Sequence, residues 1–190
     1  MPLEPPTKRV IAFFDGQNLY FAAKAAFGYT YPNYDPEALA RAVCAQQGWE
    51  LVETPFYTGI PDSHVDARWH GFWNNKLLAM RRRGIHVFSR SIRNSKEKGV
   101  DVRIAIDVIR KAHQNDCDVA LIFSQDQDLS EVARELRIIA KEQSRWIRIA
   151  TAYPDNPDRP RGINGTDWLP IDRATYDACI DPRNYRLKRT

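Results

Sequence analysis

Two uninterrupted apolar runs, at residues 10–14 ("VIAFF") and Val119–Phe123, limit the folds that this chain can adopt. Each is about as long as one strand, and neither shows the alternation of polar and apolar residues expected of a strand with one solvated face. Continuous runs of this kind are typical of strands in a parallel sheet covered by helices on both faces. The two runs therefore predict buried, central strands of an α/β protein.

Helical patterns separate these two runs from three further candidate strands, and the alternation predicts a three-layer α/β/α sandwich with a mostly parallel central sheet. The further strands are predicted at 51–57, 85–88 and 146–150. Helices are predicted at 19–27, from the Asp35-Pro36 cap to Gly48, from the Asp62-Ser63 cap to Gly84, and at 100–113, 129–140 and 174–180. Residues 153–168 are predicted to be a loop. We expect one domain over 9–180, with an extension at 1–8 and a basic tail at 181–190.

Composition narrows the class of protein. A chain of 190 residues with 43% hydrophobic and 27% charged residues is typical of a soluble globular domain. The net charge of +4 is compatible with a polyanionic partner and equally with an ordinary basic protein. Three widely spaced cysteines without a CxxC pair argue against a zinc knuckle or a disulfide scaffold. Without an apolar leader or membrane-length run, we expect a cytoplasmic protein with no membrane partner.

Carboxylates follow both central runs, at the sheet edge where ligands bind in α/β folds. Asp15 ends the first run, and "SQDQD" (124–128) follows the second, placing Asp126 and Asp128 there. In the helix predicted over 100–113, Asp101 falls in the middle of the apolar arc at the first turn, so it should face inward. Asp107 falls on the charged arc, spaced to form surface ion pairs with Arg103 and Lys111.

Each acid also has a structural interpretation. Asp15 could cap the helix that begins near Asn18, Asp128 could form a capping box with Glu131, and Asp101 could complement a helix dipole. Together, however, acids at one sheet edge would repel one another unless a cation lay between them, and no lysine or arginine occurs in "FFDGQN" or "FSQDQD". Carboxylates without histidine or cysteine are the ligands that suit Mg²⁺ or Mn²⁺.

Three segments resemble, in order and spacing, the NYN domain, a branch of the PIN-like nuclease superfamily: "VIAFFDGQNLY", "KGVDVRIAIDVIRKA" and "DVALIFSQDQDLSEVAREL". The resemblance covers about residues 9–150. It implies an α/β/α sandwich whose acidic cluster binds Mg²⁺ or Mn²⁺ and cleaves RNA. Matched residue by residue, the acids are Asp15, Asp101, Asp126 and Asp128, with Asn18 beside the first. In the family's common "SGDSD" pattern, a glycine and a small residue stand where this chain has Gln125 and Gln127.

This resemblance predicts an endoribonuclease in which the four acids hold the metal and a metal-activated water attacks the phosphodiester. Asn18 would orient that water or a phosphate oxygen, and Ser124 and Asp107 would support the site. Basic residues near the site in sequence are expected either to bind RNA or to complement the C-terminus of a helix and line a solvated loop. Tyr20 and Phe21 either stack a base or pack the first helix. These basic residues are Arg81, Arg82, Arg83, Arg90, Arg93, Lys96 and Lys98.

The sequence leaves two alternatives open. The chain could be a non-catalytic RNA-binding module that retains the acidic pocket, an interpretation that the two glutamines favour slightly. It could also be a phosphatase or a nuclease acting on DNA flaps, which would use the same metal chemistry. A homo-oligomer is compatible with the sequence.

Overall fold

A computed structural model of the chain describes residues 2–92 and 99–186. Its strands are β1 (Arg9–Asp15), β2 (Glu50–Glu53), β3 (Phe56–Pro61), β4 (Val87–Ile92), β5 (Val119–Phe123), β6 (Arg148–Pro154) and β7 (Asp167–Ile171). Its helices are α1 (Gly16–Phe27), α2 (Pro36–Gln47), α3 (Ala67–Arg82), α4 (Val100–His113), α5 (Ser130–Glu142) and α6 (Arg173–Asp177). Within the described ranges, no helix is long and apolar enough to cross a membrane.

The strands form one sheet in the order β4-β3-β1-β5-β6-β7, and β2 pairs with the first half of β1. Each of these pairings is parallel. Strands β1 and β5 lie side by side, with Val10 opposite Val119 and Phe14 opposite Phe123. The two apolar runs are therefore adjacent central strands, and the residues that follow them emerge at the same edge of the sheet.

Apolar side chains on the two faces of the sheet form two separate cores, which confirms the predicted sandwich. Along β1, Ala12 and Phe14 point into the core that includes α1, α2 and α3. Ile11 and Phe13 point into the core beneath α4 and α5. Because successive strand residues face opposite sides, an uninterrupted apolar run is what a doubly covered strand requires.

Several predicted bounds are wrong, each for a local reason. The strand predicted at 51–57 is two strands, because the chain changes course at Thr54-Pro55 and the Pro55 carbonyl accepts from the Phe14 amide at 2.9 Å. Helix α3 begins after Asp66, whose side chain accepts from the Trp69 amide, whereas Asp62 closes the preceding turn. Strand β4 extends to Ile92, beyond the predicted 85–88, and β7 lies partly within the predicted loop.

Candidate active site

The four predicted acids line one cavity of about 360 Å³ at the carboxyl edge of the sheet. Asp15 comes from the end of β1, Asp101 from the first turn of α4, and Asp126 and Asp128 from the turn after β5. The other lining residues are Gln17, Asn18, Phe21 and Val100. Three segments that are distant in sequence thus bring their carboxylates to one opening.

Asp15 is the most buried of these acids, with only 7% of its surface exposed. Its Oδ1 accepts from the Asn18 amide at 3.1 Å, so the helix-cap interpretation is confirmed, and its Oδ2 accepts from the Ser124 hydroxyl at 3.2 Å. Gly16 permits this tight strand-to-helix turn, because a Cβ there would lie 2.5 Å from the Phe56 ring. The pKa of Asp15 is raised from 3.8 to about 6, mainly by burial and to a smaller extent by the charges of Asp126 and Asp101, while the two hydrogen bonds act in the opposite direction.

Asp126 and Asp128 are positioned by a chain of short-range hydrogen bonds. The Ser124 hydroxyl oxygen accepts from the Asp126 amide at 3.1 Å, and Asp126 Oδ1 accepts from the Asp128 amide at 3.0 Å. Asp126, not Asp128, therefore caps the following 3₁₀ turn, and α5 begins only at Ser130. The capping-box interpretation of Asp128 is wrong, which leaves its carboxylate facing the cavity without a structural role in α5.

Asn18 joins the two central loops. Its side-chain oxygen accepts from the Gln125 amide at 2.8 Å, and its backbone amide is the donor to Asp15. That oxygen already accepts a hydrogen bond from the loop after β5. The side-chain NH₂ group is therefore the part of Asn18 that is left to bind a ligand, and it binds as a donor. This favours a phosphate oxygen over a cation as the partner of Asn18.

The acids lack compensating cations in the part of the chain that the structure describes. Across residues 2–92 and 99–186, none of the four forms an ion pair with lysine, arginine or histidine. Within those ranges, no three histidine, cysteine or acidic side chains lie close enough to hold one ion together. The oxygen-only donor set fits Mg²⁺ or Mn²⁺, and Mg²⁺ often uses one or two carboxylates and keeps several waters. The described residues therefore contain no arrangement in which three or more of these acids enclose one ion.

Asp107, predicted to form surface ion pairs, is instead buried, with 2% of its surface exposed. Arg103 Nε and Arg110 Nη2 donate to it at 2.9 and 2.8 Å, and the Tyr57 hydroxyl donates at 3.0 Å. The predicted pair with Arg103 is thus confirmed, whereas Lys111 bonds Glu53 and not Asp107. The surface prediction is wrong because β3 approaches this part of α4 and supplies Tyr57. Asp107 is not one of the eight described residues that line the cavity.

The two glutamines tie a loop to the site, a role that the sequence did not predict. Gln125 Nε2 donates to the carbonyls of Arg159 and Arg161 at 3.2 and 2.8 Å. Gln127 Nε2 donates to the Gly162 carbonyl at 3.0 Å, and its Oε1 accepts from the Asn164 amide at 3.1 Å. The bulk of these side chains therefore lies against the β6–β7 loop. In the sequence, the signals for this role were the two glutamines on either side of Asp126 and the arginines in the loop at 153–168.

The two aromatic residues after the first motif have different surroundings. Tyr20 packs against the Phe21 and Trp69 rings, with centroids 5.2 and 5.9 Å away, and its hydroxyl donates to the Thr30 carbonyl. Phe21 is 57% exposed and lines the acidic cavity. Phe21 also borders a groove of about 310 Å³ that Lys24 and Trp69 help to line. Tyr20 therefore has a packing role, whereas the ring of Phe21 is exposed beside the acids.

The predicted basic residues are divided between the two edges of the sheet. Arg83 pairs with Asp35 at 2.6 Å and Glu37 at 2.8 Å, just after α3 and before the amino end of β4. A 16-residue helix thus carries Arg81, Arg82 and Arg83 away from the carboxyl edge. Arg90 lies beside the site, since a Cβ on Gly99 would come within 2.9 Å of its guanidinium. Arg93, Lys96 and Lys98 lie outside the described residues.

Comparison with solved structures supports the fold. A protein of unknown function from Vibrio parahaemolyticus superposes with a TM-score of 0.59 at 20% identity, covering 90% of this chain and 98% of that protein. The apo form of AtPrR2 gives a TM-score of 0.31 at 17% identity, over 80% of this chain and 41% of that one, too weak a similarity for any inference. No curated protein matches this sequence.

Family comparison is more specific. The NYN domain profile matches residues 9–159, a span that includes both central strands and all four cavity acids. The match extends over most of the 190 residues. The chain therefore belongs to the NYN domain family, a family with a nuclease-like fold.

Proposed function

We propose that this protein is a metal-dependent endoribonuclease that hydrolyses RNA phosphodiester bonds at the acidic cavity. The observation that carries the proposal is the grouping of four acids around one opening, with a buried Asp15 that faces Asp101 and Asp126 rather than a cation. Buried like charges are unfavourable unless a positive group offsets them. Family membership and the oxygen-only donor set favour Mg²⁺ or Mn²⁺ as that group.

Each residue of the cavity has a distinct proposed task. Asp15, Asp101, Asp126 and Asp128 supply the carboxylates from which the ion draws its protein ligands. When bound, a divalent cation would acidify water and neutralise charge on the phosphate oxygens. Ser124 orients Asp15 and Asp126 through its hydroxyl, and the side-chain NH₂ group of Asn18 donates to a phosphate oxygen. Asp107 supports the site only indirectly, by fixing α4 against Tyr57.

RNA is proposed to approach over the Phe21 side of the cavity. Phe21 has an exposed ring on which an unpaired base can stack, and Lys24 lies in the groove beside it. Arg90 lies on the other side, near the start of α4. Such phosphate contacts give an affinity for RNA that depends strongly on salt and little on sequence.

The protein is proposed to act in the cytoplasm. Its three cysteines are free and buried, which accords with a reducing compartment.

A second candidate is a non-catalytic RNA-binding module. The specific observation in its favour is that, among the described residues, no three candidate ligands lie at the spacing of one ion. This candidate predicts that RNA binding persists in EDTA and that no products appear with Mg²⁺ or Mn²⁺.

Cleavage of labelled RNA with and without Mn²⁺ separates the two candidates. We expect products only with the metal, and loss of these products in Asp15→Asn. Asp167→Asn is the matched control, because Asp167 is an exposed acid at the amino end of β7 that pairs with Arg148. Equal cleavage by wild type and Asp15→Asn would overturn the mechanism. Parallel assays with single-stranded DNA and a small phosphate ester test the specificity for RNA.

A further inference from the structure

Beside the acidic cavity lies a second cavity of about 390 Å³, and one of its seven described lining residues is an arginine. Asn18, Phe21 and Asp126 line both cavities, so the two are adjacent. The second cavity is completed by Ala22, Gln125, Gln127 and the exposed Arg159. Arg159 belongs to the loop between β6 and β7 and has no counterpart among the residues that the sequence motifs identify.

The loop that carries Arg159 is held from two sides. Gln125 and Gln127 make the four hydrogen bonds described above to its backbone, from the carbonyl of Arg159 to the amide of Asn164. At its far end Ile163 is fully buried, and its carbonyl accepts from the Trp168 indole at 2.9 Å. The backbone at Arg159 is therefore fixed relative to Asp126, although the side chain extends into solvent.

We propose that Arg159 binds a phosphate of the RNA next to the one at the acidic cavity, and that Gln125 and Gln127 are positioning residues for it. This inference rests on the proposed function. An acidic cavity repels the polyanion that it must bind, so a cation at the rim offsets that repulsion. The planar guanidinium matches two phosphate oxygens, and a fixed backbone lowers the entropy lost when the contact forms.

Arg161 provides a matched control within the same loop. Gln125 holds its carbonyl just as it holds that of Arg159, and both side chains are exposed. Arg161 does not line either cavity, whereas Arg159 lines the second. A general effect of positive charge on this loop would affect both residues equally, and a specific phosphate contact would affect Arg159 alone.

The test measures equilibrium binding of a short labelled oligouridylate in EDTA, where no cleavage occurs, over a series of salt concentrations. Arg159→Ala should weaken binding about tenfold, the value of one charged hydrogen-bonding contact. It should also reduce the slope of log affinity against log salt by about 0.7, the value for one phosphate of a single strand. Arg161→Ala should change affinity by less than about twofold.

The positioning role is tested with the double variant Gln125→Met/Gln127→Met, which keeps side-chain length and removes the amides. We expect the same loss of affinity and slope as in Arg159→Ala, and no further loss when Arg159→Ala is added, because the three residues act as one unit. If the glutamines serve only the fold, the melting temperature falls while the salt slope stays at the wild-type value, which would overturn the positioning role.

Three results separate this inference from the proposed function. RNA binding that depends on Arg159 without metal-dependent cleavage would remove the nuclease and keep the phosphate site. Cleavage with wild-type affinity in Arg159→Ala, or equal losses in Arg159→Ala and Arg161→Ala, would remove the phosphate site and keep the nuclease. Failure of the wild-type protein to bind the oligouridylate in EDTA would remove the phosphate site, and cleavage with Mn²⁺ would then decide the nuclease independently.

Discussion

Asp15 and Asp107 are both buried carboxylates, and their surroundings are opposite. Asp107 has two arginines within 2.9 Å and a tyrosine hydroxyl at 3.0 Å. Asp15 has an amide and a hydroxyl as partners, and the charges of Asp126 and Asp101 raise its pKa. Among the described residues, the acid that holds α4 to β3 is paired with cations and the acid at the cavity is not. This difference is what the proposed role of Asp15 as a ligand-binding acid requires.

Cleavage should show the largest difference between the two acids. Asp15→Asn should lower metal-dependent cleavage of RNA by at least about a hundredfold, since even groups that only support a metal ligand cost 10- to 100-fold when removed. Asp107→Asn should lower it by less than about threefold at a temperature where the variant is folded, because its effect reaches the cavity only through α4. Similar losses in the two variants would show that Asp15 and Asp107 do not differ in function.

Stability should change in opposite directions. Asparagine caps helices as well as aspartate does, so Asp15→Asn keeps the helix cap and removes the buried charge. We expect the free energy of unfolding at pH 7.5 to rise by about 1–3 kcal/mol. The upper bound is the difference between the Asp15 pKa of about 6 and its ordinary value of 3.8, converted to free energy. Asp107→Asn should lower it by about 2 kcal/mol, because charged hydrogen bonds to two half-exposed arginines are lost. Urea unfolding of both variants measures these changes, and a stabilised Asp107→Asn would contradict the assignment.

The comparison also shows what the sequence could and could not predict. The two central strands, Asp15 at the end of one and Asp126 after the other were predictable, because continuous apolar runs and parallel-strand geometry are local patterns. The surroundings of Asp107 were not predictable, because burial of the charged face of α4 depends on Tyr57 from another strand. The loop contacts of Gln125 and Gln127 depend on residues more than 30 positions away, so no local pattern contains them.

Stability should depend on pH through Asp15 in a defined window. Its pKa is about 6 in the folded protein and 3.8 ordinarily, so between these values the folded state binds more protons than the unfolded state. The free energy of unfolding of wild type relative to Asp15→Asn should therefore decrease as pH rises from about 4 to 6, by up to about 3 kcal/mol, and stay constant above that. Urea unfolding of both proteins from pH 4 to 8 measures the difference. If the difference in unfolding free energy between the two proteins does not vary with pH, the pKa of Asp15 is not raised in the folded protein.

Bound metal should offset the cost of burying the charge of Asp15. Saturating Mn²⁺ at pH 7.5 should raise the melting temperature of wild type and of Asp107→Asn by equal amounts, with about 2.7 kcal/mol of stabilisation at a hundredfold excess over Kd. It should leave Asp15→Asn unchanged. Thermal unfolding with Mn²⁺ and with EDTA measures the shift, and an equal shift in Asp15→Asn would move the ion away from Asp15.

The smallest effects should come from the two arginines that compensate Asp107. Arg110 and Arg103 are half-exposed, with 50% and 34% of their side chains accessible, so either one substituted by alanine should lower stability by less than about 1 kcal/mol while the other still neutralises the acid. Replacing both leaves Asp107 buried with the Tyr57 hydroxyl, as Asp15 is left with the Ser124 hydroxyl. The double variant should therefore lose more than the sum of the single variants. Additive losses in urea unfolding would mean that burial alone, without the missing cation, does not make an acid in this fold costly.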